Sequence, residues 1–313
     1  MEVGLEHLID PRLVAFEQEA CEFNAAAAEA KNTFTEVDPS TPEGLRAHRT
    51  GLSARPAPGG PPAEEVLAVV GDREVPVRIT HPQMGPPRGV YLEIHSGGFY
   101  MGWAARSDFR NRQLADAAGV AVVSVDYRLA PEDPWPAAPE DCETAALWLL
   151  AEAEARFGTS RLVIGGGSAG ANLAMTTLLR LRDKGLVEPF VGAALQYGAF
   201  DLSCRTPAAR QFADEYYLEA YVGSVEDRTN PDISPVFADL HGLPPALLTI
   251  GTLDPVLEDT LLMAMRLSAA GGEVDLRVYP ESPHGFLGFP IAMARAACDD
   301  IESWVAQRSS SAG

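Results

Sequence analysis

No apolar run in this 313-residue chain approaches the roughly 20 residues that a membrane-spanning helix needs. Its first residues, Met1-Glu-Val-Gly-Leu-Glu-His7, lack the positive and apolar regions of a secretory signal, so a cytoplasmic protein is expected. Positive charge is also scarce. Lys plus Arg number 24 against 44 Asp plus Glu, a net charge of −20, and no basic stripe offsets it. That balance argues against nucleic acid or an anionic membrane as partner. The four cysteines (Cys21, Cys142, Cys204, Cys298) form no C-x-x-C pair. In a chain this size they read as reduced, partly buried thiols. Neither they nor the six scattered histidines adopt a metal-ligand spacing, so no metal and no other cofactor is expected.

What is present is an ordinary globular composition, 46% hydrophobic and 22% charged, in a chain long enough for one large core. Residues 1–35 read as helical, with Leu8, Leu13, Val14 and Phe16 near helical spacing, and residues 52–63 as a Pro/Gly-rich linker. Beyond it, strand and helix signals alternate. Strands are expected at 65–70 and 75–80 (a hairpin turning at Gly71-Asp72), 89–94, 120–125, 161–165, 190–197, 246–250 and 274–278. Helices are expected at 108–118, 139–157, 168–183, 255–270 and 290–307. Such alternation implies an α/β fold whose mostly parallel central sheet carries helices on both faces. The rhythm breaks at 203–240, where a helical stretch (207–221) precedes a polar return. With the N-terminal helices this stretch would form a helical cap. The resulting division is a cap part at 1–50, core at 60–202, cap insertion at 203–240, core at 241–307 and a disordered tail at 308–313.

The most informative segment is Arg161-Leu-Val-Ile-Gly-Gly-Gly-Ser168-Ala-Gly-Ala-Asn-Leu-Ala-Met175. Gly166-x-Ser168-x-Gly170 between a β-branched strand and an apolar helix is the nucleophile-elbow pattern. A serine on so sharp a turn needs glycines two residues away on either side, because a Cβ there would strike the neighbouring strand and helix. The helix N-terminus then favours negative charge developing beside the hydroxyl. The same stretch satisfies the dinucleotide fingerprint as Gly165-x-Gly167-x-x-Gly170. That alternative expects the first strand of a domain and an acidic residue about 20 positions on. Here several strands precede the motif and Asp201 stands too far downstream.

A nucleophilic serine needs a base, the base an orienting acid, and the tetrahedral intermediate N–H donors. With an elbow the chain order is Ser, acid, His. Only His241 and His284 follow Ser168, and His241 precedes the strand at 246–250, which leaves it no strand-end acid in the right order. His284, in the turn Pro280-Glu-Ser-Pro-His-Gly-Phe286, is the candidate base. The acid should end the preceding strand, where Asp254 stands before Pro255, a position that also suits a helix N-cap. Glu258 and Asp259 lie within the following helix and are poorer candidates. Oxyanion donors are expected from Ala169 and from Gly97 and Gly98 of His95-Ser-Gly-Gly-Phe99, which follows an early strand. Tyr100, Trp103, Tyr197, Tyr216, Tyr217 and Phe286 are candidates either for the pocket wall or for core packing.

Together these segments resemble the hormone-sensitive-lipase-like branch of the α/β-hydrolases, the bacterial family IV carboxylesterases, over about residues 60–307. The resemblance rests on His95-Ser-Gly-Gly-Phe99, on Asp126-Tyr-Arg-Leu-Ala-Pro-Glu132 with Pro136-Ala-Ala138, on Gly166-Gly-Ser-Ala-Gly170, and on Asp254-Pro255 with His284-Gly-Phe286. It implies a cofactor-free serine carboxylesterase acting on small short- to medium-chain esters. Ser168 would be nucleophile, His284 base and Asp254 its orienter, with Gly97, Gly98 and Ala169 as oxyanion hole and His95 holding the glycine loop. The same triad would also suit amides or carbamates. Plant gibberellin receptors share the scaffold without the catalytic histidine, which this chain retains. Similar esterases often form homodimers, though no interface is legible here. Two positions depart from the family: Ser96 stands where glycine is usual, and Gly167 where an acidic residue or threonine is frequent.

Overall fold

Eight strands form one sheet in the spatial order β1-β2-β4-β3-β5-β6-β7-β8. The computed structural model describes residues 4–31, 37–51 and 60–310. β1 (Glu64–Val70) and β2 (Arg73–Thr80) make the expected hairpin about Gly71-Asp72, and β2 pairs antiparallel with β4 (Ala121–Val125). The remaining pairs are all parallel: β3 (Val90–Ile94), β5 (Leu162–Gly167), β6 (Phe190–Gln196), β7 (Ala246–Gly251) and β8 (Val274–Tyr279). β4 is buried at every residue, which its run Ala-Val-Val-Ser-Val requires of a strand covered on both faces.

Helices supply those covers. α4 (Ala137–Phe157), α5 (Ala169–Asp183) and α7 (Leu257–Ala269) bury apolar residues in one core cluster. α3 (Asp108–Ala118) and α8 (Ala292–Ser309) pack together in a second cluster on the other face. Each fully buried Val or Leu in these layers contributes about 1.5–3 kcal/mol relative to exposure. Parallel strands all run toward one edge, so the loops that leave β3, β5, β7 and β8 gather there.

Three sequence expectations need correction. The N-terminal stretch is not continuous α-helix: tight 3-10 turns at Leu5–Leu8 and Pro11–Phe16 precede α1 (Glu17–Lys31). Three residues per turn shifts the apolar stripe, so Leu13 is buried while Val14 stays 58% exposed. The helix expected over 207–221 is split, with a 3-10 turn at Ala209–Phe212 and α6 at Tyr216–Val222. Glu215 between them is extended (φ −73°, ψ 133°), which ends one turn and starts the next. The tail expected to be disordered from 308 is helical to Ser309, because the carbonyl of Arg308 accepts from Arg161 Nη2 at 2.7 Å and Ser309 is fully buried. The linker 52–63 falls largely on residues 52–59, outside the described residues, as do 32–36 and 311–313.

Among the described residues no helix is long and apolar enough to cross a membrane, and no cluster of three or more His, Cys, Asp or Glu could hold a metal ion.

Candidate active site

Ser168 ends the turn from β5 into α5 with φ 55° and ψ −118°, a left-handed conformation that costs a non-glycine residue about 1–3 kcal/mol. Its N–H donates to the carbonyl of Gln196 at 2.8 Å, and its own carbonyl accepts from Ala171 and Asn172 in the first turn of α5. The flanking glycines are there for want of space. A Cβ on Gly166 would stand 2.2 Å from the carbonyl oxygen of Ile94, and one on Gly170 2.0 Å from the same atom. At Gly167 an added Cβ would lie 2.9 Å from the ring of Tyr197, so that ring fills the space a side chain would take.

His284 reaches this serine from the loop after β8. Its Nε2 lies 2.9 Å from Ser168 Oγ, and its Nδ1 lies 3.0 Å from each oxygen of Asp254. Asp254 follows β7, is buried, and accepts the Val256 N–H at 2.9 Å; the N-cap expected of it falls on Val256, because α7 starts only at Leu257, so the carboxylate fixes the turn before the helix and orients the imidazole. A neutral histidine hydrogen-bonded in this way carries its proton on Nδ1 and presents a lone pair at Nε2 to the serine. Asp259, one helical turn on, is buried elsewhere: it accepts the N–H groups of Phe200 and Asp201, and burial lifts its pKa to about 7.

The histidine loop is tied down from several sides. Glu281, at φ 49°, receives a hydrogen bond from Asn24 Nδ2 on its carbonyl and donates its N–H to Thr252 Oγ1. Phe23 of α1 packs on Phe289 at 4.8 Å, and Glu19 caps α8 through the Ala292 N–H. Sequence reading assigned α1 to a cap and missed this anchoring, because no local pattern reveals a contact across more than 250 residues.

Opposite His284, the loop after β3 turns through Gly97 (φ 141°), Gly98 (φ 57°) and Phe99 (φ 65°). A Cβ on Gly97 would sit 1.9 Å from the carbonyl oxygen of Met101. The N–H groups of Gly97, Gly98 and Ala169 donate to no protein acceptor among the described residues, and all three residues line the cavity that holds Ser168. His95 sits behind this loop, stacked on Tyr127 at 4.1 Å, with Nδ1 donating to the Ser96 carbonyl. Tyr127 donates in turn to the His95 carbonyl. The Asp126–Glu132 motif thus braces the glycine loop: Asp126 accepts the Ala104 N–H, and the N–H of Ala130 donates to Phe99. Arg49 of α2 (Pro42–Gly51) clamps both to the N-terminal segment through Glu132 and the carbonyls of Tyr100 and Ala130.

Burial lowers the His95 pKa from 6.5 to about 4. Between those values the unfolded chain binds a proton that the folded chain excludes. The contribution is therefore complete above pH 6.5 and drains away as pH falls toward 4. Urea unfolding at pH 7.5 and pH 5 should show about 2 kcal/mol less of this loss in His95→Asn than in the parent. Equal losses in both chains would remove the role given to His95.

The cavity holding Ser168 measures about 400 Å³ and has a mainly apolar wall. Of the six aromatic candidates, Tyr100, Tyr197 and Tyr217 line it. The other three do not. Trp103 faces a groove beside β1 and β2, Tyr216 packs edge-on against Tyr100 outside the wall, and Phe286 is fully buried between Tyr197 and Tyr279. Met101, Arg106, Phe212, Glu215 and Val256 also line it and carried no signal in the sequence.

A family model described as the alpha/beta hydrolase fold matches residues 91–288, which span every element just described around Ser168, Asp254 and His284. The chain belongs to the α/β-hydrolase family. Its relatives place it in the hormone-sensitive-lipase-like branch, with the carboxylesterases. It is similar to the carboxylic ester hydrolase LipN of Mycobacterium tuberculosis, 34% identical over 230 residues, 68% of this chain but only 61% of that protein. Carboxylesterase NlhH of the same organism is 33% identical over 249 residues, 75% of this chain and 78% of NlhH. Among solved structures, a bacterial heroin esterase superposes with a TM-score of 0.81 at 30% identity, covering 97% of this chain and 99% of that one. The chain's dinucleotide-like glycines serve close packing instead: Gly165 and Gly167 lie at the end of β5 and Gly170 in the first turn of α5.

Proposed function

We propose that this α/β-hydrolase is a serine carboxylesterase whose catalytic residues are Ser168, His284 and Asp254. The observation that carries the reading is the unbroken hydrogen-bonded row from Ser168 Oγ through the imidazole to the buried Asp254 carboxylate. The names of the relatives, carboxylic ester hydrolase and carboxylesterase, support the same activity.

In this mechanism Ser168 Oγ attacks the ester carbonyl carbon as its proton passes to His284 Nε2. Asp254 stabilises the imidazolium and keeps its orientation. The carbonyl oxygen, now negative, accepts from the Gly97, Gly98 and Ala169 N–H groups, a stabilisation typically worth about 3–4 kcal/mol per donor. His284 then protonates the departing alkoxide, and water repeats the sequence on the acyl-enzyme. A cavity of about 400 Å³ suits short- to medium-chain acyl groups rather than long lipid tails. The helices of the N-terminal part (1–50) and the insertion at 203–240 act as its cap, the latter supplying Phe212, Glu215 and Tyr217 to the wall. The partner is a small ester, and no cofactor takes part.

Incubation with a p-nitrophenyl phosphonate should release one equivalent of nitrophenol per chain and add the phosphonyl mass to the peptide carrying Ser168. Labelling elsewhere, or none, would overturn the proposal. Rates on matched esters, amides and carbamates of increasing chain length would then assign the leaving group.

A further inference from the structure

Behind the nucleophile lies a second cavity, of about 340 Å³, which shares Ser96, Arg106, Tyr197 and Gly285 with the first. Its remaining wall is polar where it matters, with Asn111, Gln196 and Arg110 facing the same space as Glu93. Arg106 is the exception among the arginines of this site. The guanidinium of Arg110 is already engaged by Glu302 at 3.5 Å and Gln113 at 3.4 Å. Arg49, Arg78, Arg128 and Arg180 each grip a carboxylate. The Arg106 side chain has no ion pair or hydrogen bond among the described residues, in a chain with 20 more negative than positive groups.

Glu93 does not serve as its partner. The carboxyl of Glu93 accepts from Ser107 Oγ at 3.0 Å and from Ser124 Oγ, and burial raises its pKa, which reduces its charge. The positive charge of Arg106 is felt at the His95 imidazole and at the Tyr197 phenol, whose ring stands edge-on to His284 at 5.0 Å. Its neighbours Gln196 and Asn111 are engaged with Ala194 and Glu93, so the unengaged guanidinium fork is the group here that matches a carboxylate in both shape and charge.

We infer that this enzyme prefers esters that carry a carboxylate, seated in the second cavity on Arg106 while the ester carbonyl lies at Ser168. The inference rests on the esterase reading above. The carboxylate could sit on either half of the ester, so two matched pairs separate the cases. Monomethyl glutarate against methyl butyrate places it on the acyl side, and 3-acetoxypropanoate against propyl acetate places it on the alcohol side.

The parent enzyme should hydrolyse the charged member of one pair with the higher kcat/KM. Arg106→Gln should lower that charged-to-neutral ratio about tenfold or more, mainly through KM, and Arg106→Lys should recover part of it. Neutral members preferred in both pairs by the parent enzyme would overturn the inference whether or not the variants fold. So would a ratio unmoved by Arg106→Gln. Failure of the esterase reading looks different: no neutral ester would be turned over faster by the parent than by Ser168→Ala.

Discussion

Ser168→Ala should lower kcat for p-nitrophenyl butyrate by about 10⁴–10⁶-fold, leaving only what the amide donors and binding supply. The size follows from geometry. Ser168 Oγ is the one atom of the row able to form the acyl bond, and it stands 2.9 Å from the only imidazole that reaches it. Alanine keeps the Cβ and tolerates the same backbone, so circular dichroism and the melting temperature should barely move. A loss smaller than about 100-fold in a folded variant would move the nucleophile elsewhere.

Asp254→Asn is expected to cost about 10³–10⁴ in kcat with little loss of stability. Asp254 accepts from Val256 N–H on one side and from His284 on the other. An asparagine keeps the Val256 N–H bond by accepting with its amide oxygen, which turns its NH₂ toward Nδ1. The imidazole must then accept at Nδ1 and carry its proton on Nε2, where it can no longer take one from the serine. Progress curves with p-nitrophenyl butyrate would measure the loss, and urea unfolding would verify the fold. Activity within tenfold of the parent would mean that another acid orients His284.

Much of this site was legible because its parts obey local rules. Ser168 was marked by glycines whose absent side chains make room for the Ile94 carbonyl, and a constraint of that kind is written in the residues beside it. Asp254 and His284 followed from chain order and from their places after strands, since parallel strands deliver their loops to one edge. The elements themselves differ from expectation mostly at their ends. The pocket wall was not legible. Whether Tyr216 or Tyr217 faces the cavity depends on how a short helix is turned against the sheet, and the break at Glu215 resets that turn. Phe286 sits two residues from His284 yet points into the core, where the rings of Tyr197 and Tyr279 close over it. Arg106 is conspicuous only for the partner it lacks, a property no sequence window contains.

The Tyr197 ring occupies the volume that any side chain at Gly167 would need. A methyl group placed at position 167 would therefore have to push the outer edge of that ring aside, and the ring also stands edge-on to His284 at 5.0 Å. Bulk beside the nucleophile would in this way be felt at the imidazole, through a tyrosine that bonds to neither.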